Sequence, residues 1–431
     1  MHYILKYLFL AFVLIFSVQK LDANNVCNSK DYEKYLAIDT NEEAKLLVEE
    51  FKFWETKFLK TPNQHIYLVK MANAQSELFS LKGNISYIKK AVSLLEQADE
   101  LSFNKDSGIK RNLAKNYITL HEFRKALDAL KVAETTGTQL VRTQKMLFDV
   151  HMEIGNYDIA KKYLSKITDK QSFDYLIRIA KWEDHAGNLD KTIINMQLAL
   201  EKAYDGNSDE LIQWTITNLG DYYGHQGEIV KSYNSYLKAL AMNPSLAYAK
   251  KGIAWIAFSN DRNSEEALKI INAISTYHYS PDYLLFKADI AEFNENEKLK
   301  NTYLKGYFEM LEDQKEYLQM YAKYNVLLYA DNPNEIERAF EIANSEILLR
   351  PTPQSYSLLA YVFYKQGNSK RALEIACDFI IDQTYEPEPL FLAAQILKKE
   401  DMMSVYSEVK NDLVASVYEL GPNSEGLILN F

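Results

Sequence analysis

Loop-forming residues and cysteines are scarce in this sequence. Its 431 residues include 14 glycines, 9 prolines and 2 cysteines. Glycine and proline build most β-turns and long loops, so their scarcity favours a mostly helical chain. Cys27 and Cys377 stand far apart and neither lies in a spacing typical of a metal site, so we expect no disulfide and no cysteine-based metal centre. The helical spacing around Cys377 predicts a small residue buried in the core.

Positive charge is also in deficit. The chain carries 49 Lys and Arg against 59 Asp and Glu, a formal net charge of −10. Such a surface repels phosphate backbones, and no long cluster of Lys and Arg offsets it. We therefore expect no nucleic-acid partner.

Long apolar runs are missing outside the N-terminus. There Lys6 precedes a run from Tyr7 to Val18, which has the length of a signal-peptide core and is shorter than a bilayer-spanning helix. We expect residues 1–23 to be a signal peptide cleaved after Ala23. The remaining chain, without a transmembrane segment, is then exported to the periplasm, the cell surface or the medium of a bacterium. An uncleaved N-terminal anchor is the alternative.

Helical periodicity is abundant, and its pattern returns about every 34 residues. The stretch NLGDYYGHQGEIVKSYNSYLKAL (218–240) aligns with LLAYVFYKQGNSKRALEIACDF (358–379), so that Gly227 matches Gly367 and Ser232 matches Ala372. Clear copies also lie at 112–133, 146–164 and 178–200. Weaker copies lie at 67–98, 247–275, 283–308, 325–351 and 389–421.

The spacing within a copy has a physical reason. Gly220 and Ser232 are small, which lets two antiparallel helices approach closely, and Tyr236 fills the space beside that contact. Gly227 supplies the turn between the helices because glycine tolerates a positive φ. Pro244 ends the second helix.

These features resemble the tetratricopeptide repeat, a helix–turn–helix unit. The resemblance implies an all-α fold, a right-handed superhelix (α-solenoid) of about ten antiparallel helix pairs. We assign the signal peptide to 1–23, an N-terminal helical cap to 24–64, the superhelix to 65–420 and a C-terminal tail to 421–431.

Signatures of catalysis are missing from the sequence. It contains no GxGxxG, P-loop, HExxH or GxSxG motif. His185 and His225 occupy the same repeat position, with Asp184 and Asp221 close by, and a metal site there is conceivable; solvated histidines near helix ends are the simpler interpretation. We expect no catalytic residue, no metal and no cofactor.

In the repeat family, spaced positions of each first helix line the concave groove. Carried over to this sequence, they include charged residues of both signs early in the chain, such as Lys145, Asp149, Asp174 and Lys181. The residues that we predict to line a partner groove are Trp214, Asp221, His225, Tyr248, Lys251, Trp255, Phe258, Tyr361 and Tyr364. Exposed aromatic side chains in a groove favour extended peptides or sugars. The alternative is that these rings pack against neighbouring helices.

Two functions compete at this point. The first is a non-enzymatic exported scaffold that holds a protein or peptide partner in the concave groove at the bacterial cell envelope. The second is a protein that binds glycans or other nutrients on aromatic platforms.

Overall fold

The computed structural model describes residues 25–38 and 40–430, so the predicted signal peptide lies outside the described residues. Within those ranges every regular element is a helix, and the predicted all-α class is confirmed. None of the described helices has both the length and the apolar composition needed to cross a membrane.

Ten helix pairs follow one another over residues 65–415. Two segments precede them: the short α1 (Ser29–Tyr32) with a 3₁₀ turn (Glu33–Tyr35), and the long helix α2 (Asn41–Lys60). Pairs 1 to 5 are α3 (His65–Lys82) with α4 (Ile85–Leu101), α5 (Ser107–Thr119) with α6 (Phe123–Thr136), α7 (Leu140–Glu153) with α8 (Tyr157–Ser165), α9 (Phe173–His185) with α10 (Leu189–Asp205), and α11 (Asp209–His225) with α12 (Ile229–Met242). Pairs 6 and 7 are α13 (Ala247–Trp255) with α14 (Ser264–Ser275) and α15 (Asp282–Phe293) with α16 (Glu297–Asp313). The short helix α17 (Tyr317–Met320) follows them and belongs to no pair. Pairs 8 to 10 are α18 (Ala322–Ala330) with α19 (Ile336–Leu349), α20 (Pro353–Lys365) with α21 (Ser369–Phe379), and α22 (Pro387–Lys399) with α23 (Met403–Ala415). The helices α24 (Val417–Leu420) and α25 (Pro422–Asn430) follow.

The turn inside most pairs uses one residue with a positive φ. Pairs 1, 3, 4, 5 and 9 place a glycine there: Gly83, Gly155, Gly187, Gly227 and Gly367. Pairs 2, 6, 7 and 10 place another residue there: His121, Arg262, Glu295 and Asp401. The turn reverses the chain and lets a backbone N–H just past the first helix cap that helix; the Glu228 N–H, for example, donates to the Tyr223 carbonyl. The repeat unit inferred from the sequence is therefore present even where its glycine is missing.

Small residues allow close contact within a pair, as the spacing predicts, and also between neighbouring pairs. A Cβ atom added to Gly220 would lie 2.8 Å from the Tyr236 ring, and one added to Gly252 would lie 2.5 Å from the same ring. Tyr236 thus fills the space between α11, α12 and α13, and Ser232 beside it is fully buried.

The solenoid winds back onto itself. The Tyr279 N–H donates to the Lys82 carbonyl at 2.7 Å. Gln319 donates to the His121 carbonyl, 198 residues earlier, and Arg350 donates to the Glu153 carbonyl, 197 residues earlier. The turns of the early pairs thus rest on the connections that precede the later first helices, so pair 7 lies against pair 1 and two windings are stacked.

In addition to these hydrogen bonds, apolar packing joins the two windings. One hydrophobic core contains Leu68 and Ile85 of pair 1 together with Tyr307 of pair 7 and Tyr317 of α17. Tyr317 also accepts from the Ile85 N–H and donates to the Gly83 carbonyl. The windings therefore share a core.

The predicted N-terminal cap is split in two. Helix α2 packs on α3, as a cap would. The segment before it lies at pair 6 instead: the Val26 and Cys27 N–H groups donate to the Asp261 carboxylate, and Tyr32 donates to Glu266. Because these contacts span more than 230 residues, no local pattern in the sequence indicates them.

Two further details differ from the sequence interpretation. The predicted tail contains α25, and its Ile428 is fully buried. Cys377 is exposed and not buried, because it lies on the outward side of α21 while its neighbours Ile375 and Ala376 face the core.

Candidate functional site: a cleft on the inner face of the solenoid

Two adjoining cavities open on the inner face, between the first helices of the pairs. The aromatic chamber, about 450 Å³, is lined mainly by α11, α13, α15 and α24. The acidic chamber, about 620 Å³, is lined by α2, α3, α11 and the connections that lead into α13 and α15. Tyr248, Lys251 and Asp282 line both chambers, so the two form one cleft.

Helical spacing brings the lining side chains to one face. Tyr248, Lys251 and Trp255 lie three and four residues apart on α13, and Asp282 and Asp289 lie seven apart on α15. Residues at these intervals share one side of an α-helix. The first helices therefore present equivalent stripes to the cleft.

Asp221 is the centre of a hydrogen-bond network in the aromatic chamber. Its carboxylate accepts from the Tyr236 hydroxyl at 2.6 Å and from the Tyr248 hydroxyl at 3.0 Å. Beside it the Lys251 ammonium pairs with Asp282 at 3.1 Å. Burial raises the pKa of Asp221, and the two hydroxyl bonds offset this in part.

His225 is held as a cation. Burial by itself would lower its pKa, but the hydrogen bond and charge of Glu419, together with the charges of Asp184 and Asp221, raise that pKa to about 9. The pair of His225 with Glu419 therefore carries opposite charges at neutral pH.

Asp289 has no comparable partner among the residues that the structure describes. Its side chain is exposed to the chamber, where surrounding protein replaces bulk water, and this desolvation raises its pKa to about 7. The nearby Glu292 raises the pKa further, and Lys300 opposes it. An incoming cation would favour the ionised form of this carboxyl group.

Three carboxylates meet in the acidic chamber from distant parts of the chain: Glu43 of α2, Glu77 of α3 and Glu210 of α11. Burial raises the pKa of Glu77, as do the charges of Glu50, Glu210 and Glu43, while Lys115 opposes them. His278 in the same chamber is kept neutral at pH 7, because burial lowers its pKa to about 4. The chamber is thus strongly negative.

The inner face of the preceding pairs is different, because its charges neutralise one another. Lys145 of α7 pairs with Asp174 of α9, and Arg178 of α9 pairs with Asp149 of α7 at 2.7 Å. Lys181 of α9 pairs with Glu153 of α7 at 2.7 Å. The mixed charges that the sequence places early in the groove therefore connect neighbouring first helices.

The structure brings five of the nine predicted groove residues together. Asp221, His225, Tyr248, Lys251 and Trp255 all line the aromatic chamber. Their proximity is an observation of position, and their role in binding stays a prediction.

The other four predicted residues lie elsewhere. Trp214 is 43% exposed beside Phe173, outside both chambers. Tyr361 is buried and donates to Asp331, with Tyr364 next to it.

Phe258 requires a correction, because it lies in the core and is 1% exposed. A π-helical turn (Ile256–Asn260) follows α13, and within it the Phe258 ring packs on the rings of Trp255, Phe286 and Phe293.

Several lining residues were not found from the sequence. Asp282 and Asp289 have the spacing of a groove stripe, but their repeat lacks the turn glycine that would have aligned it, since Glu295 holds the positive φ there. No spacing indicates Glu43, Glu77 or Glu419, because these residues reach the cleft only through the winding of the chain.

The structure also bears on the metal site considered from the sequence. In the part of the chain that the structure describes, no group of three or more His, Cys, Asp or Glu side chains is placed to hold a metal ion. His185, the other histidine considered for such a site, stacks on Tyr157 with ring centroids 3.9 Å apart.

No family model and no curated protein matches the sequence. Solved structures that align with the chain include a tetratricopeptide repeat protein from Parabacteroides merdae, at 16% identity over 62% of this chain and 100% of that one, with a TM-score of 0.43. PilF of Pseudomonas aeruginosa aligns at 14% identity over 50% of this chain and 97% of that one, with a TM-score of 0.36. Human IFIT1, as a dimer with m7Gppp-AAAA, aligns at 15% identity over 80% and 76%, with a TM-score of 0.45.

The helix pairs are of the tetratricopeptide type. This follows from their turns, their small-residue contacts and their stacking. With identities below 20% and TM-scores below 0.5, these proteins resemble this chain in fold alone, and their ligands say nothing about its ligand.

Proposed function

We propose that this protein is a non-enzymatic binding scaffold that takes up an extended, basic segment of a partner protein in the two chambers. The observation that carries the proposal is the charge of the cleft. Six carboxylates from the scaffold helices line it: Asp221, Asp282, Asp289, Glu43, Glu77 and Glu210. The lining cations are Lys251, which is paired with Asp282, and His225, which is paired with Glu419.

The size and walls of the cleft fit side chains of such a segment. A few hundred Å³ accommodates side chains or a small molecule, and not a folded domain. Aromatic walls next to carboxylates suit Lys and Arg, whose stems pack on rings while their charges face the acids. The acids stand on several helices, so they suit successive residues of a chain better than a single ion.

The aromatic rings give less support to glycan binding. The Trp255 ring lies 5.5 Å from that of Phe286 and its indole N–H donates to the Tyr418 carbonyl, so the ring is engaged within the protein. The Lys251 ammonium lies over the Tyr248 ring at 5.7 Å. The Trp255 ring is therefore engaged by other rings, and Lys251 lies over one face of the half-exposed Tyr248 ring.

Fluorescence anisotropy with a labelled ten-residue peptide of alternating lysine and tyrosine tests the proposal. We expect binding that weakens as NaCl increases, and none by a peptide with glutamate in place of lysine. Glu77→Gln with Glu210→Gln should weaken binding about tenfold, since two interactions of about 0.7 kcal/mol are lost. The matched control, Glu341→Gln, changes an exposed carboxylate on α19 and should have no effect.

Two outcomes would contradict the proposal. One is equal affinity for the lysine and glutamate peptides. The other is a thermal shift with neutral oligosaccharides and none with the lysine peptide, which would favour the glycan-binding alternative.

We further propose that the scaffold is exported to the bacterial cell envelope, to the periplasm or the cell surface. This rests on the sequence of residues 1–23 alone. Fractionation of cells that express the full chain with a C-terminal tag, followed by sequencing of its N-terminus, tests it. A tagged protein that retains residues 1–23 in the cytosol would contradict export.

A further inference from the structure

The last segment of the chain, residues 417–430, forms one wall of the aromatic chamber. Tyr418 and Glu419 of α24 line the chamber beside α11 and α13. The Tyr418 carbonyl accepts from Trp255 Nε1 at 3.2 Å and from Ser259 Oγ at 2.6 Å. Glu419 pairs with His225. The contacts of Tyr418 and Glu419 therefore attach the segment to helices that line the chamber.

The second half of the segment lies on the same part of the scaffold. Asn423 Nδ2 donates to the Asp289 carbonyl at 2.9 Å, and Arg262 pairs with Glu425 at 2.8 Å. α25 thus attaches to α15 and to the turn of pair 6. Together the anchors place the segment across the chamber wall.

Gly421 joins the two halves and fits against Trp255. Its φ of 79° and ψ of 166° belong to a region that is essentially restricted to glycine. A Cβ atom at this position would lie 2.9 Å from the Trp255 ring. The chain can therefore cross the tryptophan closely at this position and change direction there.

The segment is weakly held compared with the helix pairs. It consists of a four-residue helix and a nine-residue helix, and Leu427 and Leu429 are 54% and 55% exposed. Ile428 and Pro422 are buried, and Val417, Tyr418 and Leu420 pack partly buried against the neighbouring cores. Segments with few buried apolar contacts and a handful of polar anchors open at low free-energy cost.

We propose that residues 417–430 act as a lid, which closes the aromatic chamber in the free protein and moves aside when a basic peptide enters. The inference rests on the proposed function and adds its regulation. The apparent association constant for the peptide equals the intrinsic constant multiplied by the fraction of molecules with an open lid. Loosening the lid raises that fraction and therefore strengthens binding. Opening also separates Glu419 from His225, which then faces the charges of Asp184 and Asp221, and breaks the hydrogen bond from Asn423 to the Asp289 carbonyl.

The test uses full-length protein with Asn423→Ala and Glu425→Gln, two lid residues that do not line the chamber. Loss of these anchors should raise the affinity for the lysine–tyrosine peptide about fivefold, the factor that corresponds to about 1 kcal/mol. Hydrogen exchange of the amides in 417–430 should be faster in the variant. In the natural sequence it should become faster when the peptide is added. The matched control is Glu374→Gln, which breaks a pair with Arg371 on the remote helix α21 and should change neither quantity.

Each other outcome has a defined meaning. Equal affinity of both proteins, or slower exchange in 417–430 when the peptide binds, overturns the lid and leaves the proposed function intact. If neither protein binds the peptide, the proposed function falls, and the lid falls with it.

Discussion

Single carboxyl groups in the cleft show how a binding surface costs stability. Asp289 lies on α15 with its side chain exposed to the aromatic chamber, and no described residue forms an ion pair or a side-chain hydrogen bond with its carboxyl group. Desolvation raises its pKa to about 7. Groups whose ionised form is disfavoured in the free protein are typical of sites that await a partner.

The sign of the resulting pH dependence follows from the raised pKa. In the unfolded chain Asp289 ionises near pH 4, and in the folded chain near pH 7. The folded state therefore binds the proton more tightly, and stability declines as pH rises from about 4 to about 7. We expect Asp289→Asn to raise the melting temperature by about 2 °C at pH 8 and to leave it unchanged at pH 4.

Calorimetry at both pH values measures this effect. Asp128→Asn, on the exposed side of α6, is the control and should give the same small change at each pH. An equal shift for Asp289→Asn at pH 4 and pH 8 would show that the carboxyl group is not desolvated.

At the scale of the helix, ion pairs between consecutive first helices hold the inner face together. Glu153 of α7 pairs with Lys181 of α9 and also contacts Arg350, which belongs to the second winding. Burial alone would raise the pKa of Glu153, but Lys181, Arg350 and His121 outweigh it and lower that pKa. One carboxylate thus connects two neighbouring pairs and both windings.

Replacing this carboxylate tests the connection. Because the folded pKa of Glu153 lies below its ordinary value, its stabilising effect is present above the unfolded pKa and disappears as pH falls through the folded pKa. Its side chain is 29% exposed, so we expect Glu153→Gln to cost about 2 kcal/mol at pH 7, less than a fully buried pair would. Urea unfolding at pH 7 and pH 4 measures the loss, which should be smaller at pH 4. Glu341→Gln is the exposed control, and an equal loss in the two variants would refute the connection.

The segment with α1 gives a second test at this scale. Tyr32 is 1% exposed, packs edge-on against Tyr233 and donates to Glu266 at 2.9 Å. We expect Tyr32→Ala to lower the free energy of unfolding by about 3 kcal/mol and to make residues 25–38 sensitive to proteases. Tyr32→Phe keeps the ring and should cost about 1 kcal/mol. Similar small losses for both variants would mean that the segment adds little to the stability of pair 6.

At the scale of the whole molecule, the contact between windings decides the shape of the cleft. Gly155 has a φ of 74°, and a Cβ atom there would lie 2.7 Å from the Pro351 carbonyl oxygen in the second winding. Gly227 has nearly the same φ, 78°, but no atom of another described residue lies within 4 Å of its Cβ position. The two glycines therefore separate the cost of the turn from the cost of the contact.

Alanine at each position provides the measurement. Both substitutions should lower the free energy of unfolding by about 1–2 kcal/mol, because alanine disfavours a positive φ. Gly155→Ala should lower the free energy of unfolding by about 2 kcal/mol more than Gly227→Ala does, since its added methyl group pushes the windings apart. Urea unfolding gives the difference, and small-angle scattering should show expansion for Gly155→Ala alone. Equal costs and unchanged scattering would indicate that the windings do not press on each other at this point.

The repeating unit can be predicted from the sequence, because its signals are local. The small residues at Gly220 and Ser232, the turn at Gly227 and the helical periodicity all act between helices adjacent in the chain. The same reasoning placed Asp221, Tyr248 and Lys251 on the inner stripe. It failed at Phe258, which lies in a π-helical turn and is buried among the rings of Trp255, Phe286 and Phe293.

How tightly the solenoid winds can be seen only in the folded molecule. Small angles between successive pairs add up over about 197 residues before the first winding meets the second, and no single position in the sequence records that sum. The meeting of Glu43, Glu77 and Glu210, the docking of Tyr32 on pair 6 and the crossing of Gly421 over Trp255 all depend on it. A repeat pattern specifies each step of a solenoid, whereas contacts between its windings depend on the sum of all the steps.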